Sequence, residues 1–229
     1  MGKKKDSAAV MARRKETTDS YDYYPTPYWA TRSLFRFSDT FKNMESLGRV
    51  WDPACGGLHM SKVLEEYADH PAHVWSSDIC DHERKNVYIH DFLKPFDNPH
   101  EIPLTPAWII TNPPFTLAQK FAKQALSPCN AHDGVALLCR LQFLETIERY
   151  KQLFAVSPPS EVLVFVERLN FAKGRFANSK DQFNAVSYAW FIWRLGESLG
   201  KKQTVLNWIP PGAKATLNTP PEQRRLEFK

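Results

Sequence analysis

The strongest chemical signal in the sequence is Asn112-Pro113-Pro114-Phe115, which closes the apolar run Trp108-Ile-Ile-Thr. Two prolines fix their own φ angles and offer no N–H, and Pro113 restricts the asparagine before it. The product is a stiff corner presenting two acceptors, the Asn112 side-chain oxygen and the Pro113 carbonyl. An aromatic amine is a poor nucleophile because its lone pair is delocalised into the ring. Two fixed acceptors draw on its hydrogens and favour a pyramidal nitrogen whose lone pair faces an electrophile, which is preorganisation rather than strong base chemistry. Phe115 offers a ring to stack on, worth roughly 1–3 kcal/mol per base.

Three further groups stand after apolar runs. Asp52-Pro53-Ala54-Cys55-Gly56-Gly57 places two glycines where a strand turns into a helix, so the backbone can turn tightly and approach a ligand. It lacks Gly-x-Gly-x-x-Gly, so a dinucleotide pyrophosphate is not its obvious guest. Asp78 ends a second run, and Asp91-Phe92 a third. A carboxylate at a strand end accepts bonds from ribose hydroxyls, and an Asp followed by an aromatic suits an exocyclic amine and a base face. Taken singly, each carboxylate is more often a turn residue or helix cap, and the glycine turn is at least as readily an ordinary strand–helix connection. Their succession after consecutive strands favours a site.

Those residues need a sheet to position them. Strand-like runs occur at Arg49–Asp52, His73–Ile79, Asn86–Phe92, Trp108–Thr111, Val135–Arg140, Val162–Glu167 and Ala185–Trp193. Helical spacing links Met60, Val63, Leu64 and Tyr67, then Leu117, Phe121 and Ala125, then Ile147, Tyr150 and Phe154. A further helix is expected from about Tyr28 to Phe37, after the proline-stiffened segment Tyr21–Pro27. The alternation predicts an α/β fold, a mostly parallel seven-stranded sheet with helices on both faces. The last two runs are joined without an obvious helix and are expected to pair antiparallel at one edge. Residues 1–20 read as a disordered basic tail, 21–199 as one domain, and 200–229 as a proline-rich C-terminal extension with a short strand at Thr204–Ile209.

The 229 residues are 43% apolar and 24% charged, which excludes collagen-like, coiled-coil and wholly disordered classes. No run approaches the length of a membrane span, so no membrane partner is expected. Met1-Gly-Lys-Lys-Lys does not read as a secretory signal, and the scattered Cys55, Cys80, Cys129 and Cys139 suit free thiols in a cytoplasm. The net charge of +5 is uneven: +3 over residues 1–20, −5 over 21–167, +4 over 168–180 and +4 over 194–229. Clustered cations on an acidic body point to a polyanion partner, although a charged terminus alone often just keeps a tail solvated.

At these residues the chain resembles the class I S-adenosylmethionine-dependent methyltransferases, and among them the N6-adenine DNA methyltransferases, especially compact phage and prophage forms. The resemblance runs from about Tyr21 to Trp193 and implies a Rossmann-like fold. It implies that Asp52, Pro53, Ala54, Cys55 and Gly56 cradle the methionine half of the cofactor. Asp78 would hold the ribose with Ile79 beside the adenine, Asp91 and Phe92 would contact that adenine, and Thr26-Pro27 would lie over the cofactor carboxylate. Asn112, Pro113, Pro114 and Phe115 would bind the target amine, with Asn112 also against the cofactor. The reaction implied is methyl transfer to the N6 amine of an adenine flipped out of DNA, a cost of a few kcal/mol.

Two departures matter. Gly56-Gly57-Leu58 stands where many relatives space their glycines, and no long target-recognition segment follows the last strand. DNA contacts are then expected from Arg168, Phe171, Lys173, Arg175 and Lys180, mostly to phosphate, which implies weak or short sequence specificity. Phe171 serves either to hold an extruded adenine or to pack inside. No metal is expected, and His82, His70 and His73 read as surface histidines. The chain is expected to act as a monomer or weak dimer in the cytoplasm of a bacterial or phage-infected cell. RNA adenine or guanine amines remain an alternative target. Release-factor glutamine is less suited, because residues 1–48 are too short and polar for the helical domain of those enzymes. A non-catalytic module binding cofactor or nucleic acid is the remaining reading.

Overall fold

The computed structural model describes residues 23–95, 106–127, 131, 133–171, 186–195 and 203–223. Its strands are β1 (Val50–Asp52), β2 (Val74–Asp78), β3 (Tyr88–Ile89), β4 (Trp108–Thr111), β5 (Gly134–Arg140), β6 (Glu161–Phe165), β7 (Tyr188–Arg194) and β8 (Val205–Ile209). They form one sheet in the order β3-β2-β1-β4-β5-β7-β6-β8. All neighbours are parallel except β7, which runs antiparallel to both β5 and β6. The helices are α1 (Tyr28–Phe37), α2 (His59–Leu64), α3 (Ala118–Ala125), α4 (Ile147–Arg149) and α5 (Ala213–Leu217).

The central strands are apolar throughout because both sheet faces are covered. Along β5, Ala136 and Leu138 enter one core with Trp29, Leu34 and Trp108, while Val135, Leu137 and Cys139 enter the other with Trp51, Phe121 and Phe191. On β7, Trp190 and Ile192 take the first face, and Ala189, Phe191 and Trp193 the second. The alternation is the period of two inherent to a strand.

The expected sheet is corrected from seven strands to eight. Val205–Ile209 joins it, pairing in parallel with β6 from Glu161 opposite Val205 to Phe165 opposite Ile209. Ile209, 1% exposed, anchors that strand in the core. Asn207 donates to the buried Glu161 carboxylate at 2.9 Å, which also accepts the Ser38 hydroxyl at 2.7 Å. The stripe Ile147, Tyr150, Phe154 is a second correction. Ile147 is 76% and Tyr150 62% exposed, Leu153 is buried, and of the stripe Phe154 is the residue that packs on the core, against Phe143. From Tyr150 to Phe154 the chain winds as a π turn, whose wider register moves the inward position by one residue.

Residues 203–223 lie against α1. Arg32 of α1 is fully buried and meets Glu66 along one guanidinium edge, Nε donating at 2.9 Å and Nη2 at 2.6 Å. Its remaining N–H groups donate to the carbonyls of Leu217, at 2.6 Å, and Thr219. One side chain thus fastens α1, the end of α2 and the C-terminal turn. Among the described residues, no helix is long and apolar enough to cross a membrane.

Candidate active site

Strand order reverses between β1 and β4, since the chain runs outward from β1 through β2 to β3 before returning to the other side of β1. Loops leaving the two sides of such a switch point diverge and open a crevice at the carboxyl ends of the strands. Here the crevice is about 230 Å3. It is walled by Pro53–Gly56 after β1, Asp78 and Ile79 after β2, His90–Leu93 after β3, and Asn112–Leu117 after β4, with Tyr23–Thr26 along one side.

The glycine turn is shaped by close approach. Gly56 has φ +52°, and a Cβ there would stand 2.5 Å from the Tyr23 ring. Gly57 is crowded by the Tyr23 hydroxyl and the Glu83 carboxylate, which are hydrogen-bonded to each other. Burial, reinforced by Glu83, pushes the Tyr23 phenol well up, so it stays protonated as the donor in that bond. The Gly56 N–H donates to Asp78 Oδ2 at 2.8 Å, tying the first and second strand ends together. Cys55 lines the crevice as a thiol whose pKa is raised by burial.

Asp52 lies beneath the crevice rather than on its wall. It is 1% exposed and accepts the hydroxyls of Thr111, at 2.7 Å, and Ser61, at 2.9 Å. Desolvation pushes its carboxyl up to about 7 against those two bonds. A carboxyl raised in the folded state holds a proton that the unfolded chain has lost. The stability it contributes is therefore complete below pH about 4 and lost as pH rises to about 7. We expect the melting temperature of the wild type to fall more steeply across that window than that of Asp52→Asn. Parallel pH profiles would contradict this.

Asn112 is held in one orientation at the end of β4. Its Nδ2 donates to Thr26 Oγ1 at 3.1 Å and to the Tyr24 carbonyl at 3.4 Å. A carbonyl only accepts, so the amide orientation follows from its partners. That leaves Asn112 Oδ1 buried with no partner among the described residues. Buried acceptors are usually satisfied by protein or water, so this oxygen on the crevice wall is open to a donor within the crevice. His59 Nδ1 is likewise buried and unpartnered, on an imidazole that burial holds toward its neutral form.

Phe115 stands beside this corner within a cluster of rings, 5.6 Å from Tyr24, 5.5 Å from Tyr188 and 6.1 Å from Phe171. The Arg140 guanidinium covers it at 4.5 Å. Phe171 is 2% exposed and packs on Tyr188 at 4.7 Å. Of its two sequence readings, the structure shows packing: it backs the pocket wall instead of presenting a face.

Among the residues singled out in the sequence, Thr26, Pro53–Gly56, Asp78, Ile79, Asp91, Phe92 and Asn112–Phe115 meet at the crevice. Thr26 orients Asn112, and Pro27 starts α1 without lining the wall. Phe92 is mostly buried against Trp51 and Phe121, and Asp91 accepts the Leu93 N–H at 3.1 Å. Arg168 is exposed, while Lys173, Arg175, Lys180 and residues 1–20 lie outside the described residues. His82 is corrected: its side chain is 14% exposed, lines the crevice and stacks on Tyr23 at 4.5 Å. Sequence reasoning also missed Tyr23, Tyr24, His59 and Arg140. The Tyr-Asp-Tyr-Tyr run beside Thr26 was the available signal for the first two.

Neither a protein-family model nor a curated relative matches the sequence. Among solved structures, the fold is similar to that of the methyltransferase subunit of a type I restriction-modification system from Streptococcus thermophilus. The TM-score is 0.53 at 12% identity, over 80% of this chain and 46% of that one. It is also similar to the M protein of the type I restriction enzyme EcoKI, with TM-score 0.53 at 12% identity, over 77% of this chain and 44% of that one. The chain spans a little under half the length of these two proteins. The shared feature is the fold, a mostly parallel Rossmann-like sheet, here with an eighth strand.

Proposed function

We propose that this chain is an S-adenosylmethionine-dependent methyltransferase acting on the exocyclic N6 amine of adenine in DNA. The observation that carries the proposal is the buried, unpartnered Asn112 Oδ1 at the wall of a switch-point crevice. The residues present suit the cofactor. Asp78 on the second strand end would take the ribose hydroxyls. The glycine turn would face the amino-acid half, while Ile79 and Phe92 offer apolar surface to its adenine. S-adenosylmethionine would supply an electrophilic methyl group.

The protein's own part is positioning. Asn112 Oδ1 accepts one N–H of the target amine, held in direction by Thr26 and the Tyr24 carbonyl. Phe115 stacks on the base, its ring fixed by Tyr24, Tyr188 and Arg140. The amine approaches with its lone pair toward the methyl group, and proximity supplies much of the rate. After transfer the surplus amine proton leaves to solvent, since no group here is required as a strong base. The two structures described above belong by name to type I restriction systems, which is in keeping with DNA as the polymer. Phosphate contacts from the basic segments would then give binding with weak sequence preference.

The test is transfer of labelled methyl from S-adenosylmethionine to duplex DNA, tRNA and rRNA, followed by nucleoside analysis. N6-methyladenine in the DNA, spread over many sequence contexts, is the expected product. Label confined to RNA would replace DNA with RNA as the polymer, and label in neither would overturn the proposal.

A further inference from the structure

Three potential metal ligands leave β2 at alternate positions: Asp78, Cys80 and His82. One donor atom from each, a carboxylate oxygen, Sγ and an imidazole nitrogen, lies within 4.8 Å of the others. His82 Nε2 is 3.4 Å from Cys80 Sγ and 3.4 Å from Asp78 Oδ1. That ring nitrogen carries at most one hydrogen, which cannot lie along both lines at once. A cation at the focus engages all three. Tetrahedral zinc, with bonds of about 2.0–2.3 Å, sets its ligand atoms roughly 3.3–3.6 Å apart. The two measured edges fall in that interval. Only Asp78 lies on β2; the chain bends at Ile79 and Cys80 and turns at His82, and that turn carries the three donor atoms to one place.

We infer that Asp78, Cys80 and His82 form a binding site for a thiophilic divalent cation of the zinc class, which competes with the cofactor for Asp78. Thiolate, imidazole and carboxylate together select zinc-like ions over magnesium or calcium. On coordination the Cys80 thiol passes its proton to solvent, and three protein ligands leave a fourth position for water. Asp78 Oδ2 keeps its bond from the Gly56 N–H. Asp78 Oδ1, turned to a cation, is lost to a ribose hydroxyl. The competition rests on the cofactor reading above, whereas the cation site does not.

Titration of the full, reduced chain with Co2+ tests both parts. A thiolate-to-cobalt charge-transfer band that saturates at one equivalent and is bleached by Zn2+ is expected. Cys80→Ser should lose the band, and His82→Gln should weaken binding by more than about tenfold. His73→Gln, which alters the exposed Asp69–His73 pair, should leave both unchanged. No band, or a band that survives Cys80→Ser, would overturn the site. S-adenosylhomocysteine should raise the apparent cobalt dissociation constant, and simultaneous binding without mutual cost would overturn the competition. Cofactor binding measured without metal separates the two readings. Its absence would remove the cofactor assignment and leave the cation site standing.

Discussion

Asn112→Ala is expected to lower kcat for methyl transfer by about 10²–10³-fold while S-adenosylmethionine still binds. The substitution removes a crevice-wall acceptor that has no partner among the described residues. Removing a single preorganised hydrogen-bond partner from a developing charge costs on that scale elsewhere in enzymology. The side chain also fills space between Thr26 and Tyr24, so circular dichroism and a melting curve should accompany the kinetics. Undiminished transfer by a folded Asn112→Ala variant would take the asparagine out of the chemistry. Loss of cofactor binding together with transfer would assign it to cofactor placement instead.

Arg32→Met should destabilise the fold by about 3–5 kcal/mol. The guanidinium is fully buried and holds four acceptor atoms: two on Glu66 and the carbonyls of Leu217 and Thr219. Methionine matches much of the volume and none of the donors. It leaves the Glu66 carboxylate, 13% exposed, without its cation. Removal of one partner from a buried pair is far costlier than replacement of both. Denaturant unfolding followed by tryptophan fluorescence should show the midpoint falling with little change in slope. The double variant Arg32→Met, Glu66→Leu should recover part of the loss. A drop below about 1 kcal/mol for Arg32→Met would mean that the C-terminal turn is held elsewhere.

Much of this architecture was legible in the chain because strand and helix periods differ. Trp108–Thr111 and Tyr28–Phe37 have the bounds expected, since prolines and polar residues punctuate both. Proline rigidity likewise made the Asn112 corner readable, and tight turning did so for Gly56. What stayed hidden depended on contacts distant in sequence. A short strand was expected at Thr204–Ile209, but its half-exposed residues gave no sign that it would pair with the edge of β6 and extend the sheet. His82 looked like a surface histidine because nothing local reports that Tyr23, 59 positions earlier, stacks upon it. Asp52 carried the right residue type at the right strand end, but the hydroxyls of Ser61 and Thr111 hold it under the floor. Helical spacing misled at Ile147 and Tyr150, where the π turn breaks the 3.6-residue period.

The claim that the crevice between the glycine turn and the Asn112 corner holds S-adenosylmethionine meets its most direct test in a calorimetric titration of metal-free protein, with Asp78→Ala alongside. The expected result is one bound cofactor per chain and an affinity at least tenfold weaker in Asp78→Ala, because a charged acceptor to the ribose is lost. No binding by the wild type, or equal binding by a folded Asp78→Ala variant, would contradict it.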